Sequence, residues 1–257
     1  MAQSLEQRAR QLQDFCAESL ALAAELVYPE ACVICQDDLT TDCRDGIWLC
    51  GVCRSKLSID NGDVCLRCGA SVGPYIETSQ GCLKCRRRNF RFKQVVRLGL
   101  YQGELRLQVI AGKGNGARLL SLTLADCLWS CQQARFAEMK AEVVVAVPTF
   151  WMKRAYAPHH QAETLAERLA ERLQLPLARG VLSKVRYTVD QSSLPRELRT
   201  TNLSKAFRVT RPGKVRGKIV LLADDVLTTG TTASECAKAL KQAGAREVIV
   251  AVLAVVD

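Results

Sequence analysis

Apolar residues recur along this chain in two rhythms. Ile219 to Ala223, Val248 to Leu253 and Val143 to Val147 are unbroken aliphatic runs, as expected of parallel strands buried on both faces. Other segments place apolar residues three and four apart, which predicts helices over Ala117 to Ala134, Gln161 to Leu173 and 232–243. Val95 to Tyr101 and Val181 to Val185 read as further strands. Alternating strands and helices predict an α/β domain with a mainly parallel sheet over 95–257. At the amino end, Leu5, Ala9, Leu12, Cys16, Leu20, Ala23 and Val27 predict one amphipathic helix over 1–30, ended by Pro29 and packed against its own protein. Residues 31–88 carry neither rhythm, and a segment that small needs staples to hold a core.

The staples are cysteines. Of thirteen, eight fall into four Cys-x-x-Cys pairs: Cys32/Cys35, Cys50/Cys53, Cys65/Cys68 and Cys82/Cys85. One such turn brings two thiolates to one side, and two turns complete a tetrahedron around zinc. The spacing predicts two structural zinc sites with every position filled by sulfur. Sequential pairs sharing a metal and a cross-braced arrangement both satisfy it. Gly69, after Cys68, fits the tight turn of a zinc knuckle. Cys43 is a spare thiol, whereas Cys16, Cys127, Cys131 and Cys236 lie on helical patterns and read as small core residues.

Charge adds a preference for anions. The formal net charge is +10, and two all-thiolate zinc sites lower it to about +6. No window is long and apolar enough to span a membrane, and no basic-then-apolar leader opens the chain. A cytoplasmic protein without membrane insertion is the expectation. Arg86, Arg87, Arg88, Arg91 and Lys93 interleave with Phe90 and Phe92. That mix suits phosphate contact and base stacking on a single-stranded nucleic acid, and equally a charged linker.

One stretch carries chemistry most directly. The apolar run ending at Ala223 passes into Asp224 and Asp225, then a turn of Thr228, Thr229, Gly230, Thr231 and Thr232, then a helical pattern. Carboxylates at a buried strand end face the crevice where open α/β sheets bind ligands. The turn offers backbone N–H groups and a helix N-terminus to a phosphate. A ligand with hydroxyls, phosphate and Mg²⁺ follows. The segment closely resembles the phosphoribosyl pyrophosphate (PRPP) motif of type I phosphoribosyltransferases. The resemblance implies that Asp224 and Asp225 face the ribose hydroxyls and the metal's water shell, and that Thr228 to Thr232 wrap the 5′-phosphate.

Joined to a cysteine-rich amino-terminal module, this domain resembles the ComF family over nearly the whole chain. That family's bacterial proteins are linked to natural transformation, which implies PRPP, single-stranded DNA and components of the DNA-uptake machinery as partners. Tyr101-Gln102-Gly103-Glu104-Leu105 with Lys113 looks like the family's Tyr-x-Gly entry and lysine. Val147-Pro148 looks like its pyrophosphate-loop position, and Gln191, Arg199, Asn202 and Phe207 like its Gln…Arg-x-x-Asn…Phe segment. Lys153 and Arg154 are placed to meet pyrophosphate or to stand solvated as a surface pair. The basic stretch Lys184 to Arg199, with Arg186, reads either as a loop closing over polyphosphate or as plain surface. The chain departs from the family at Ala157-Pro158-His159-His160-Gln161, where an Arg-Gly-aromatic-Asn-Gln pattern is expected and only Gln161 is kept. His159 and His160 read either as replacement donors or as capping residues. Thr228 stands where purine-salvage enzymes carry an acidic residue, so 6-oxopurine salvage is not expected. The implied activity is phosphoribosyl transfer from Mg-PRPP; a single-stranded nucleic-acid-binding competence factor and a non-catalytic PRPP sensor are the alternatives.

Overall fold

Four aliphatic runs assemble into one parallel sheet in the computed structural model, which describes residues 31–39, 46–57, 59, 62–78, 80–114, 116–149, 159–186 and 206–257. The expected amino-terminal helix over 1–30, Cys16, Cys43, Lys153, Arg154, Gln191, Arg199 and Asn202 lie outside the described residues. The strands are β1 (Val95–Leu100), β2 (Val143–Ala146), β5 (Ile219–Leu227) and β6 (Glu247–Val255), in the order β1-β6-β5-β2. Between β2 and β5 in sequence, β3 (Leu182–Lys184) and β4 (Phe207–Val209) form a separate antiparallel pair. The helices are α1 (Gly51–Lys56), α2 (Gly103–Ala111), α3 (Arg118–Glu138), α4 (Gln161–Arg172) and α5 (Thr231–Gln242).

Period-two alternation divides the sheet's side chains between two cores. Val96, Leu98, Val144, Leu221, Ala223, Ile249 and Leu253 pack against α2, α3 and α4 on one face. Val95, Val143, Val145, Val220, Leu222, Val250 and Val252 pack on the other, against α5 residues Ala233, Cys236, Ala237 and Leu240 and against Leu182 and Phe207 of the hairpin. Cys127 and Cys236 are buried core residues, as their helical patterns predict.

The cysteine module divides in the same way. Its first half joins the α2–α4 face, where Cys32, Ile47, Leu49, Cys53 and Leu57 belong to the main core. The second half keeps a small core of its own, made by Cys65, Cys68, Ala70, Cys82 and Cys85. It meets the sheet through Gly69, whose φ of +73° no β-carbon tolerates well, and where a β-carbon would stand 3.0 Å from Val255 Cγ2 and 3.1 Å from Val95 Cγ1. Val95 N–H donates to Leu66 O at 2.8 Å across this joint. Among the described residues no helix is long and apolar enough to cross a membrane.

Two elements differ from the sequence expectation. Helix α2 occupies Gly103–Ala111, where the pattern showed only a turn entry. Strand β5 runs on to Leu227 instead of stopping at Ala223. Its pairing explains this: the ladder to β2 ends at Ala146↔Ala223, while the ladder to β6 continues through Asp224↔Val252 to Leu227↔Val255.

Candidate functional site

Because β5 outruns β2, Asp224 and Asp225 emerge beside the carboxyl end of β2. Val147 N–H donates to Ala223 O at 2.9 Å there, so Val147 and Pro148 stand next to the two carboxylates. Asp224 is 9% exposed, and its Oδ1 accepts the Asp225 N–H at 3.0 Å. Asp225 is half-buried and accepts the Val226 N–H at 2.7 Å. Lys113, from the loop after α2, reaches Asp225 Oδ2 at 2.6 Å. Burial opposes the Lys113 ammonium, but the charge and hydrogen bond of Asp225 outweigh it and hold its pKa above the ordinary value. The loop is pinned from below: Ser121 Oγ donates to Gly112 O at 3.0 Å, and Gln161 presses on Gly112, where a β-carbon would clash with its amide nitrogen.

His159 belongs to this support. Its Nε2 lies 3.0 Å from Ser121 Oγ and its Nδ1 3.1 Å from Thr164 Oγ1, so both ring nitrogens are engaged. Burial, with Arg118 nearby, lowers its pKa. The ring is a structural link, whereas His160 takes the N-cap position of α4 without a side-chain capping bond, so neither histidine caps the helix through its ring.

Burial, followed by the charge of Asp225, raises the Asp224 pKa well above the ordinary 3.8. A carboxyl that keeps its proton longer folded than unfolded contributes a destabilisation that grows as pH rises above that ordinary value. Asp224→Asn is therefore expected to raise the melting temperature at pH 7, with a gain that shrinks to nothing on acidification below the ordinary value. Thermal melts of both proteins across pH check this; a difference independent of pH would contradict it. The same donor set, two carboxylates crowded at a strand end with Lys113 against one of them, could hold a hard divalent cation such as Mg²⁺.

The turn after β5 leads directly into α5. Gly230 takes φ +74° and starts α5, which has no side-chain cap. Thr229 Oγ1 and Thr231 Oγ1 lie 2.8 Å apart. Thr228 is exposed and Thr232 half-buried. Arg186 is exposed just beyond β3.

The eight cysteines gather as Cys32, Cys35, Cys50, Cys53 and as Cys65, Cys68, Cys82, Cys85, with all sulfurs of each group within 4.8 Å of one another. Sequential pairing is thus the arrangement, not cross-bracing. Sulfur separations of 3.7 Å (Cys35–Cys50, Cys65–Cys85), 3.6 Å (Cys68–Cys82) and 3.9 Å (Cys82–Cys85) match the edges of a tetrahedron. Zinc–sulfur bonds of about 2.3 Å give edges of about 3.8 Å, so the residues fit the metal. Four crowded thiols cannot all ionise unaided. Burial pushes Cys85 up to about 11. Burial also acts to raise Cys32, but backbone groups of Cys35, Cys50 and Ile34 bring it down to about 6. Zinc would hold all four as thiolates.

The linker corrects one expectation. Phe92 is 4% exposed and stacks on Phe90 at 4.7 Å, so it offers no face to a nucleic-acid base. Phe90 is half-buried beneath Arg67, with its ring against Gly230. Arg86, Arg87, Arg91 and Lys93 are exposed, although Lys93 pairs with Glu247 at 3.0 Å. Arg88 turns inward and donates to Thr229 O at 3.1 Å.

A parallel sheet with paired carboxylates and a Thr/Gly turn at its carboxyl edge, joined to two four-cysteine sites, defines a phosphoribosyltransferase-type domain carrying a double zinc ribbon. Comparison agrees: the phosphoribosyl transferase domain family matches residues 157–256 and the double zinc ribbon domain family residues 23–87. Competence protein F of Haemophilus influenzae is 27% identical over 84% of this chain and 93% of its own length. The DNA utilization protein YhgH of Salmonella typhimurium is 28% identical over 78% of this chain and 93% of its own, and that of Escherichia coli K12 is 27% identical over 87% and 96%. Over most of its length the chain is similar to these competence and DNA utilization proteins, in line with the resemblance to the ComF family.

Proposed function

We propose that this protein binds PRPP with Mg²⁺ and transfers its phosphoribosyl group to an acceptor other than a 6-oxopurine, in the handling of incoming DNA. The observation that carries the reading is the meeting of Asp224, Asp225, Lys113, Val147 and the 228–232 turn at one sheet edge. The relatives' names, a competence protein and DNA utilization proteins, supply the DNA-uptake context.

In this reading the backbone N–H groups of Thr228 to Thr232 hold the 5′-phosphate. Asp224 and Asp225 accept from the ribose hydroxyls and from the metal's water shell. The Val147-Pro148 edge faces pyrophosphate, and Lys153, Arg154, Arg186 and Arg199 carry the charge in the sequence that suits such a leaving group. Mg²⁺, when bound, neutralises the pyrophosphate leaving group. Departure of pyrophosphate leaves positive charge on the anomeric carbon, so catalysis rests mainly on a fixed ribose and a stabilised leaving group. Lys113 holds the Asp225 carboxylate by an ion pair of 2.6 Å, and Asp224 and Asp225 would hold the cation.

Asp225→Asn tests the assignment. The variant keeps the fold, since an amide oxygen still accepts the Val226 N–H, and is expected to lose Mg-PRPP affinity about tenfold or more in calorimetry. Unchanged affinity would remove Asp225 from the site.

A second reading, contact with a single-stranded nucleic acid, is favoured by a cleft of about 510 Å³ between the linker and α5, lined by Arg88, Arg91 and Lys238. With Phe92 buried, such contact would rest on phosphates more than on stacking, and affinity for an oligonucleotide should fall steeply with salt.

A further inference from the structure

The two zinc ribbons differ in what they touch. The first packs into the core of the α2–α4 face. The second reaches the phosphate turn through three contacts. Arg88 Nη1 donates to Thr229 O at 3.1 Å, Arg91 N–H donates to Ser234 Oγ at 3.1 Å in the first turn of α5, and the Phe90 ring stands against Gly230. A β-carbon at Gly230 would stand 2.8 Å from Phe90 Cε1, so ring and turn are in close contact at the one left-handed residue of the loop.

These linker residues are fixed by the second zinc site. Arg88 N–H donates to Cys85 O at 2.8 Å and Arg86 N–H to Cys82 O at 2.9 Å. Arg67, between ligands Cys65 and Cys68, donates to Arg88 O and to Gln80 O and lies over Phe90 at 5.9 Å. The chain of contacts therefore runs from the four thiolates through Arg67, Arg88 and Phe90 to Thr229 and Gly230. Peptide geometry makes the last contact consequential. In a planar trans peptide the C=O and N–H point in opposite directions, and among the described residues no peptide is cis. Drawing Thr229 O toward Arg88 turns the Gly230 N–H away from the ribbon, to the other side of the turn.

We infer that Arg88 and Phe90 are positioning residues for the 5′-phosphate turn, and that zinc at Cys65, Cys68, Cys82 and Cys85 sets its affinity for phosphate. The inference rests on the phosphoribosyl reading of that turn and adds a task for the second zinc. It assigns the ribbon a part in ligand binding through the turn it positions, while the first ribbon serves the core.

The test uses full-length, zinc-loaded protein and two ligands, ribose 5-phosphate and Mg-PRPP, titrated by calorimetry. Arg88→Ala is expected to weaken both by the same factor, about tenfold, with zinc content and melting temperature unchanged. Arg88→Lys, which can still donate to Thr229 O, should recover part of the loss. Asp225→Asn, by contrast, should weaken Mg-PRPP much more than ribose 5-phosphate. Cys82→Ser should weaken both ligands at least as much as Arg88→Ala while the first ribbon keeps its zinc. Wild-type binding matched by Arg88→Ala for both ligands would overturn the inference alone. Wild-type protein that binds neither would overturn the phosphoribosyl reading and this inference with it.

Discussion

Replacing Cys53 with serine is expected to release one zinc ion per chain and to lower the main melting transition by about 10 °C or more. The size follows from where the first ribbon sits. Cys53 is 4% exposed, and with Cys32, Ile47, Leu49 and Leu57 it forms part of the core beneath α3 and α4. Loss of the metal there removes apolar packing from a whole sheet face. Cys82→Ser releases the other ion, but its neighbours Cys65, Cys68, Ala70 and Cys85 form a separate small core. Its loss should appear as an early, minor transition with the main one shifted less. Metal analysis and circular dichroism melts of the two variants check this. Equal shifts of the main transition would contradict the division of the module, and retention of both ions by either variant would contradict the ligand assignment.

Asp126→Ala is the second large effect. Asp126 is 1% exposed on α3, and it accepts from Arg168 Nε at 2.8 and 3.0 Å and from Arg172 Nε at 2.7 Å, both on α4. Gly46 of the first ribbon covers the cluster so closely that a β-carbon would stand 2.8 Å from Arg168 Nη2. Removing the carboxylate takes away the buried anion that Arg168 and Arg172 share, while Arg168 keeps Glu171 at 2.8 Å, a loss of about 3 kcal/mol. The figure sits at the low end for buried pairs because the arginine side chains keep 20% and 25% of their surface exposed. Denaturant unfolding should show the midpoint falling at an unchanged slope. A loss below about 1 kcal/mol, the range of a surface pair, would show the cluster to be solvated.

Much of this architecture is legible in the chain because its signals are local. Unbroken aliphatic runs marked β2, β5 and β6, and the Cys-x-x-Cys spacing marked both metal sites, though not which pairs share an ion. Asp224 and Asp225 stood out because two carboxylates beside a buried run need a ligand or a partner. What stayed hidden depends on distant partners. Strand β5 continues through the carboxylates because β6 pairs with it there, and no local pattern records that. Phe90 and Phe92 sit among arginines, a mix that reads as a nucleic-acid surface until Gly230 and the sheet core are seen to take up the rings. Lys113 is 112 positions from Asp225, and only the fold brings them to 2.6 Å. Hairpin strand β4, at three residues, is too short to show a period.

The most direct measurement is calorimetric titration of the zinc-loaded wild-type protein with PRPP, with and without Mg²⁺, beside the Asp224→Ala/Asp225→Ala double variant. Binding that requires Mg²⁺ and is lost in the double variant is the predicted result. A folded, zinc-replete wild-type protein that shows no heat of binding would contradict the central claim, and the cationic cleft between the linker and α5 would then become the leading candidate for function.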